Sequence, residues 1–167
     1  MENKDELKEE LSRIKENSAK SFDEFPDFDL YMDQVLLCLS RQMPTENKEE
    51  QLTSSMINNY IKAGLLPRAN GKRYTREHLA YLTIIAKLKQ VLTIQDTKAL
   101  IGMFSESEGI EKAYDDFDKA LCSAFEKLIS ELDDISDSDN AAVAMKLAVT
   151  GYVYKTASEM IINAITE

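Results

Sequence analysis

Side chains that can read or hold a nucleic acid cluster between residues 53 and 74 of this chain. Asn58 and Asn59 carry amides, which can pair bidentately with the base edge of adenine. Arg68, Lys72 and Arg73 follow shortly after and carry the cations that hold backbone phosphates. We predict a DNA-contacting set within this stretch, made of Thr53, Ser54, Ser55, Asn58, Asn59, Tyr60, Lys62, Arg68, Asn70, Lys72, Arg73 and Tyr74.

The charge distribution sets this stretch apart from its flanks. The 167 residues carry a net charge of −10, yet residues 51–104 hold eight lysines and arginines against only Glu77 and Asp96. Residues 1–50 total −7, and residues 105–167 total −9. A basic island between acidic flanks indicates a module that meets a polyanion, although a chance fluctuation on a solvated face gives the same pattern.

Other side chains that could do chemistry lack partners in the sequence. His78 is the only histidine and falls in the first turn of a predicted helix, which favours a surface or capping role over a general base. Cys38 and Cys122 fall on apolar helical stripes, which is typical of structural cysteines in a reducing compartment. The acidic run at 133–139 lacks the glycine and glutamate of a calcium loop. We therefore expect no enzyme, no metal site and no cofactor.

The apolar pattern predicts the elements that position the candidate residues. A composition of 44% apolar residues, with five glycines and three prolines, favours an all-helical body. Thr53 or Ser54 caps a predicted helix that ends at Gly64. The pair Asn70-Gly71 predicts a tight hairpin turn, and the two very short strands around it would form a wing.

Further predicted helices flank this unit. Asp29 caps a helix that runs to about Arg41, and a polar linker at 44–50 follows it. Thr75 caps the helix after the wing, and Thr93 caps the next one with Asp96 at its N3 position. The inward-facing residues of that last helix are predicted to be Ile94, Leu100, Ile101 and Phe104. Upstream lie an amphipathic helix at 4–17 and an aromatic anchor of Phe22, Phe25 and Phe28.

The C-terminal third predicts two long helices. Residues 107–132 form an amphipathic helix, and residues 140–165 are apolar on nearly every side. Lys146, Lys155 and Glu159 interrupt that apolar run, which argues against a membrane span. We therefore predict that the last helix is buried, in the core or between subunits, and pairs in antiparallel fashion with the helix before it.

An ordered set of residues connects this chain to a known family. The set comprises Thr53, Ile57, Tyr60, Gly64-Leu65-Leu66-Pro67, Asn70-Gly71, Arg73-Tyr74-Thr75, Leu79 and Thr93-Ile94. In this order the stretch resembles the winged helix-turn-helix DNA-binding domain of the MerR family. Asn58 and Asn59 stand where that family has an arginine and a tyrosine, so the expected phosphate anchors shift toward the wing. The whole chain also resembles a bacterial family of uncharacterised function built on this module.

The resemblance implies a division and a function. We expect an N-terminal arm (residues 1–28), a MerR-like winged helix-turn-helix domain (29–104) and a helical dimerisation or effector region (105–167). The implied function is that of a cytoplasmic transcription regulator that places a recognition helix in the major groove of double-stranded DNA. Its expected partners are DNA, a second copy of the chain and an unknown effector, with no membrane. The alternative is a protein-interaction adaptor on the same scaffold that no longer binds DNA.

Overall fold

The computed structural model describes residues 4–18, 21–42, 51–133 and 140–166. Over these residues the chain is mainly helical, as the composition predicts, with one short 3₁₀ turn at Phe22–Glu24. The helices are α1 (Lys4–Ser18), α2 (Met32–Gln42), α3 (Ser54–Lys62), α4 (Arg76–Leu88), α5 (Ile94–Glu108), α6 (Ile110–Asp133) and α7 (Asn140–Thr166). The predicted linker at 44–50 and most of the acidic run at 133–139 lie outside the described residues.

Threonine caps set the starts of the central helices. The Thr53 hydroxyl accepts a hydrogen bond from the Met56 N–H at 3.2 Å and begins α3. The Thr93 hydroxyl accepts from the Asp96 N–H at 3.1 Å and begins α5. Both bonds satisfy backbone donors that have no partner within the first turn of a helix. These two predicted caps are confirmed.

Helix α2 begins later than predicted because of a contact made by the segment before it. Leu30 and Tyr74 form an antiparallel β-bridge, in which each N–H donates to the other carbonyl at 2.8 Å. Because the bridge holds Leu30 extended, α2 begins at Met32, and the prediction that Asp29 caps it is wrong. The side chain of Gln34 instead accepts a hydrogen bond from the Tyr31 N–H at 2.9 Å.

The predicted two-strand wing is reduced to one β-turn. The Asn70 N–H donates to the Arg73 carbonyl at 3.1 Å, and the Arg73 N–H donates back at 3.0 Å. Gly71 and Lys72 occupy the central positions with φ of 57° and 68°, so the turn is centred one residue later than predicted. Within the described ranges the chain has isolated β-bridges and no strand, so the prediction of a two-strand wing is wrong.

The start of α4 explains why the hairpin does not lengthen. The next bridging pair would need the Thr75 N–H to donate back across the hairpin. That N–H instead donates to Nδ1 of His78 at 3.1 Å and so closes the cap of α4. Helix capping therefore consumes the donor that a longer wing would require.

One core joins elements on both sides of the predicted domain limits. Phe22 and Phe25 are buried against Tyr114 of α6, with 5.2 Å between the ring centroids of Phe25 and Tyr114. Ile57 of α3 and Leu79 of α4 belong to the same cluster. Helix α6 packs on α1, α4 and α5 and does not pack along α7, so the prediction that these last two helices form an antiparallel pair is wrong. Of the three predicted anchor aromatics, Phe28 is exposed.

Helix α7 is exposed where the sequence predicts burial. Ile162 is buried, and the helix packs against α5, yet most of its other large apolar side chains lie open to solvent. The prediction of burial within this chain is therefore wrong, because α1, α4 and α5 already cover α6. Ile94 and Phe104 of α5 are likewise exposed rather than inward-facing. No helix among the described residues has the length and hydropathy that crossing a membrane requires.

Candidate nucleic-acid interface

The exposed face of α3 is polar and carries no carboxylate. Ile57 and Tyr60 are buried, and they anchor one side of the helix to the core. The opposite side is exposed along its length, and its residues are Ser54, Ser55, Asn58, Asn59 and Lys62. Successive residues on a helix are about 100° apart, so these five fall within one arc of its surface. The helix therefore presents hydroxyls, two amides and one cation to solvent.

A tight exit motif fixes the path of the chain after α3. Gly64 adopts a φ of 67°, and the Leu65 N–H donates to the Tyr60 carbonyl at 2.9 Å. This arrangement ends a helix in the left-handed conformation that glycine adopts without strain. The ammonium group of Lys98 donates to the Ala63 carbonyl at 2.9 Å and so supports the negative end of α3.

The cations that follow α3 are exposed to solvent. Arg68, Lys72 and Arg73 are exposed, as is Lys62 at the end of α3. Among the described residues, none of these four forms an ion pair. The Arg73 guanidinium lies 5.3 Å from the ring centroid of Tyr31, which holds its side chain over an aromatic face. These cations thus remain available to an external anion.

An open groove connects the end of α3 to α5. It encloses about 860 Å³, and Lys62, Arg68 and Lys98 contribute cations to its lining. Glu106 is a carboxylate at the same groove. The groove therefore brings together two of the predicted contact residues, Lys62 and Arg68, with a third cation that sequence reasoning did not include.

Three residues of the predicted contact set serve the fold itself. Tyr60 and Tyr74 are each 4% exposed, and burial raises the pKa of both phenols. The Thr53 hydroxyl is occupied by the cap of α3. Their rings and hydroxyl are therefore committed to packing and capping, while the exposed members of the set remain free to meet a ligand.

Acidic residues from the N-terminal segment lie close to the turn. Arg76 is 3.6 Å from the Asp23 carboxylate and also stacks over the ring of Phe22. Asp29 immediately precedes the Leu30–Tyr74 bridge. The sequence did not predict that these acidic residues lie near the turn. The Leu30–Tyr74 bridge joins distant parts of the chain, and no local spacing in the sequence indicates it.

Comparison with protein families assigns the part of the chain that holds α3, the turn and their core to one family. A family model described as a domain of unknown function, DUF1836, matches residues 20–117. The chain belongs to this family. The resemblance to a family of uncharacterised function is therefore confirmed, whereas the MerR resemblance stays a prediction. Neither the curated proteins nor the solved structures that were searched include a match to this chain.

The DUF1836 match covers the candidate interface and its support but not α7. The match begins at residue 20, just before the aromatic segment, and ends at Phe117 in α6, so it contains the whole Phe22–Tyr114 contact. The buried residues that hold α3 and the turn in place therefore lie within the segment that matches the family.

The DUF1836 segment also contains a small apolar cavity. The cavity encloses about 200 Å³ between α4, α5 and α6. Its lining includes Ile84, Leu88, Phe104 and Phe117, with the carboxylate of Asp116 at one side. Asp116 is held by Lys112, and this hydrogen bond lowers its pKa. The expected effector stays a prediction, and this cavity has the apolar character that a small effector would need.

Proposed function

We propose that this DUF1836 chain is a cytoplasmic transcription regulator that binds double-stranded DNA in the MerR-like manner. In the proposal, α3 enters the major groove and the turn Asn70–Arg73 contacts the neighbouring backbone. The observation that carries the proposal is a set of four exposed cations that end or follow the polar face of α3, namely Lys62, Arg68, Lys72 and Arg73. None of the four forms an ion pair with another residue that the structure describes.

The side chains on α3 suit base reading. Asn58 and Asn59 are both exposed on the free face of the helix. An asparagine amide can donate a hydrogen bond to N7 of adenine and accept one from the N6 amino group, which makes a bidentate pair. Such a pair is worth about 1–3 kcal/mol of discrimination against a wrong base. The proposal therefore assigns sequence preference to the two asparagines and affinity to the cations.

The conformation of Lys72 supports a role for its charge. It is the only non-glycine residue with positive φ in the described part of the chain. A left-handed conformation costs an L-residue roughly 1–2 kcal/mol, and glycine would avoid that cost. A lysine at the tip of such a turn places a cation there at a cost in backbone energy, which supports a role for its charge.

Gel-shift titration on the region upstream of the protein's own operon tests the proposal. Replacing Arg68, Lys72 and Arg73 by alanine should abolish the shifted band, because three phosphate contacts are lost together. Three lysines of α6 provide a control with the same change in charge, namely Lys112, Lys119 and Lys127 replaced by alanine. That control should bind like the wild type. Equal affinity of the wild type and the turn variant would contradict the proposal.

The second candidate function is a protein-interaction adaptor. The acidic residues beside the turn favour it, since Asp23 already pairs with Arg76 and would repel phosphate. Retention on heparin and on calf-thymus DNA at low salt separates the two functions. A DNA-binding regulator is retained on both and elutes as the salt concentration rises, whereas an adaptor passes through.

A further inference from the structure

The apolar cavity between α4, α5 and α6 is lined by one side of each helix. The residues that face it recur mostly at spacings of three or four positions, which place side chains on the same side of a helix. Among the described residues, Asp116 is the only polar one in the lining. The apolar part of the lining includes Ile84, Leu88, Ile101, Phe104, Ala113 and Ala120.

The cavity exists because α6 presents alanine toward the other two helices. Ala113 and Ala120 lie about one turn before and one turn after Phe117 on the same side of α6. An alanine side chain ends at Cβ, so both positions leave space that a leucine would fill. Ala113 is buried, whereas Ala120 and Phe104 are exposed. The inner end of the cavity therefore lies at Ala113, and its opening lies beside Ala120 and Phe104.

The size of the cavity limits what it can hold. It encloses about 200 Å³. Sites for drug-sized ligands enclose roughly 300–1,000 Å³, whereas an apolar cavity of about 150 Å³ takes a benzene molecule. This cavity therefore fits one six-membered ring or a branched alkyl group of similar size. Water finds too few polar partners in such a lining to compete well with an apolar ligand.

The charges beside the cavity balance one another. Asp116 accepts a hydrogen bond from Lys112, whose ammonium group also lies 3.5 Å from the Glu108 carboxylate. Lys119 lies 3.9 Å from the other oxygen of Asp116. Two ammonium groups thus face two carboxylates, and this cluster has no net charge with which to attract an ion. The Asp116 carboxylate can still accept a further hydrogen bond from a hydroxyl group.

We infer that this cavity binds a small, neutral, apolar molecule of about one ring, with a hydroxyl group as its polar end. The ring lies among Ile84, Ile101 and Ala113, and the hydroxyl group donates to Asp116. The volume sets the size of the ligand, the lining sets its apolar character, and the balanced cluster selects against a charged group. The site is independent of DNA binding, because no lining residue belongs to the proposed DNA contact.

Methyl NMR spectra of the full chain, titrated with phenol, test the site. Phenol should shift the methyl signals of Ile84, Leu88 and Ile101 in a saturable manner, with a Kd of about 1 mM, and its ring protons should give NOEs to the same methyl groups. Benzoate and benzylamine should bind at least tenfold more weakly, because each would have to bury an unpaired charge. Absent or non-saturable shifts would overturn the inference. Benzoate or benzylamine binding as tightly as phenol would overturn the assignment of a neutral ligand.

Filling the cavity provides an independent test. Ala113→Leu should abolish the saturable phenol shifts, because the added carbon atoms occupy its inner end, and it should maintain or raise Tm by filling apolar space. Ala124→Leu is the matched control, since Ala124 is exposed on α6 and lies outside the lining, and it should bind phenol like the wild type. Ala120→Leu narrows the opening at an exposed position, where the fold tolerates the change, and should weaken phenol binding several-fold. Unchanged phenol affinity in both cavity variants would contradict the site.

Discussion

Replacing Lys72 by glycine separates the proposed binding role of that residue from its role in the fold. Lys72 has a φ of 68° at the third position of the turn closed by Asn70 and Arg73. Glycine relieves roughly 1–2 kcal/mol of left-handed strain but adds about 0.4–1 kcal/mol of conformational freedom to the unfolded chain. The net gain in stability is up to about 1.6 kcal/mol, or a rise in Tm of up to about 6 °C for a chain of this size.

The DNA affinity of the same variant should change in the opposite direction. Loss of one phosphate contact lowers the slope of log affinity against log salt by about 0.9. Gly71→Ala is the comparison within the same turn, because its Cβ meets no neighbouring atom but its φ is 57°. That variant should lower Tm by a similar amount and leave all cations in place. A fall in Tm for Lys72→Gly would refute the turn geometry, and unchanged DNA affinity would refute the role of its charge.

Three further predictions address the exit of α3, the cap of α4 and the reading face. Gly64→Ala should destabilise the chain by about 1 kcal/mol or more, seen as a lower Tm, because φ is 67° and the new Cβ would lie 3.1 Å from Nζ of Lys98. Burial lowers the pKa of His78, so the unfolded chain binds more protons below about pH 6.5 and stability falls as pH falls there. His78→Gln keeps a capping acceptor and should flatten that fall in a series of thermal melts. Asn58→Ala with Asn59→Ala should reduce preference for the operator over random DNA by tenfold or more while the salt slope stays the same, and an unchanged preference would contradict their reading role.

Local sequence chemistry was sufficient to predict the central helices. Thr53 and Thr93 each precede a helix and have backbone donors within reach, so their caps follow from residue type and position. The exit at Gly64 follows equally from a glycine placed after the last apolar repeat. Each of these features depends on atoms within about one helical turn, which is why sequence alone could predict it.

Long-range pairing produced the features that sequence could not predict. The Leu30–Tyr74 bridge delayed α2. The shortness of the wing has a local cause instead, since the Thr75 N–H that a longer wing would need donates to His78. The exposed α7 was predicted to be buried because its composition is apolar, but composition does not say whether other helices have already filled the available surface. In the candidate site, the buried position of Tyr74 was missed for the same reason, since a motif match does not report side-chain direction.

The salt dependence of DNA affinity tests the central proposal most directly. Fluorescence anisotropy on the upstream fragment, repeated over a range of salt concentrations, gives the slope of log affinity against log salt for each protein. The wild type should show a steep slope, and the variant lacking Arg68, Lys72 and Arg73 should show one that is smaller by about 2.7. The control lacking Lys112, Lys119 and Lys127 should keep the wild-type slope. Equal slopes for all three proteins, or no binding by the wild type at low salt, would contradict DNA recognition through this face.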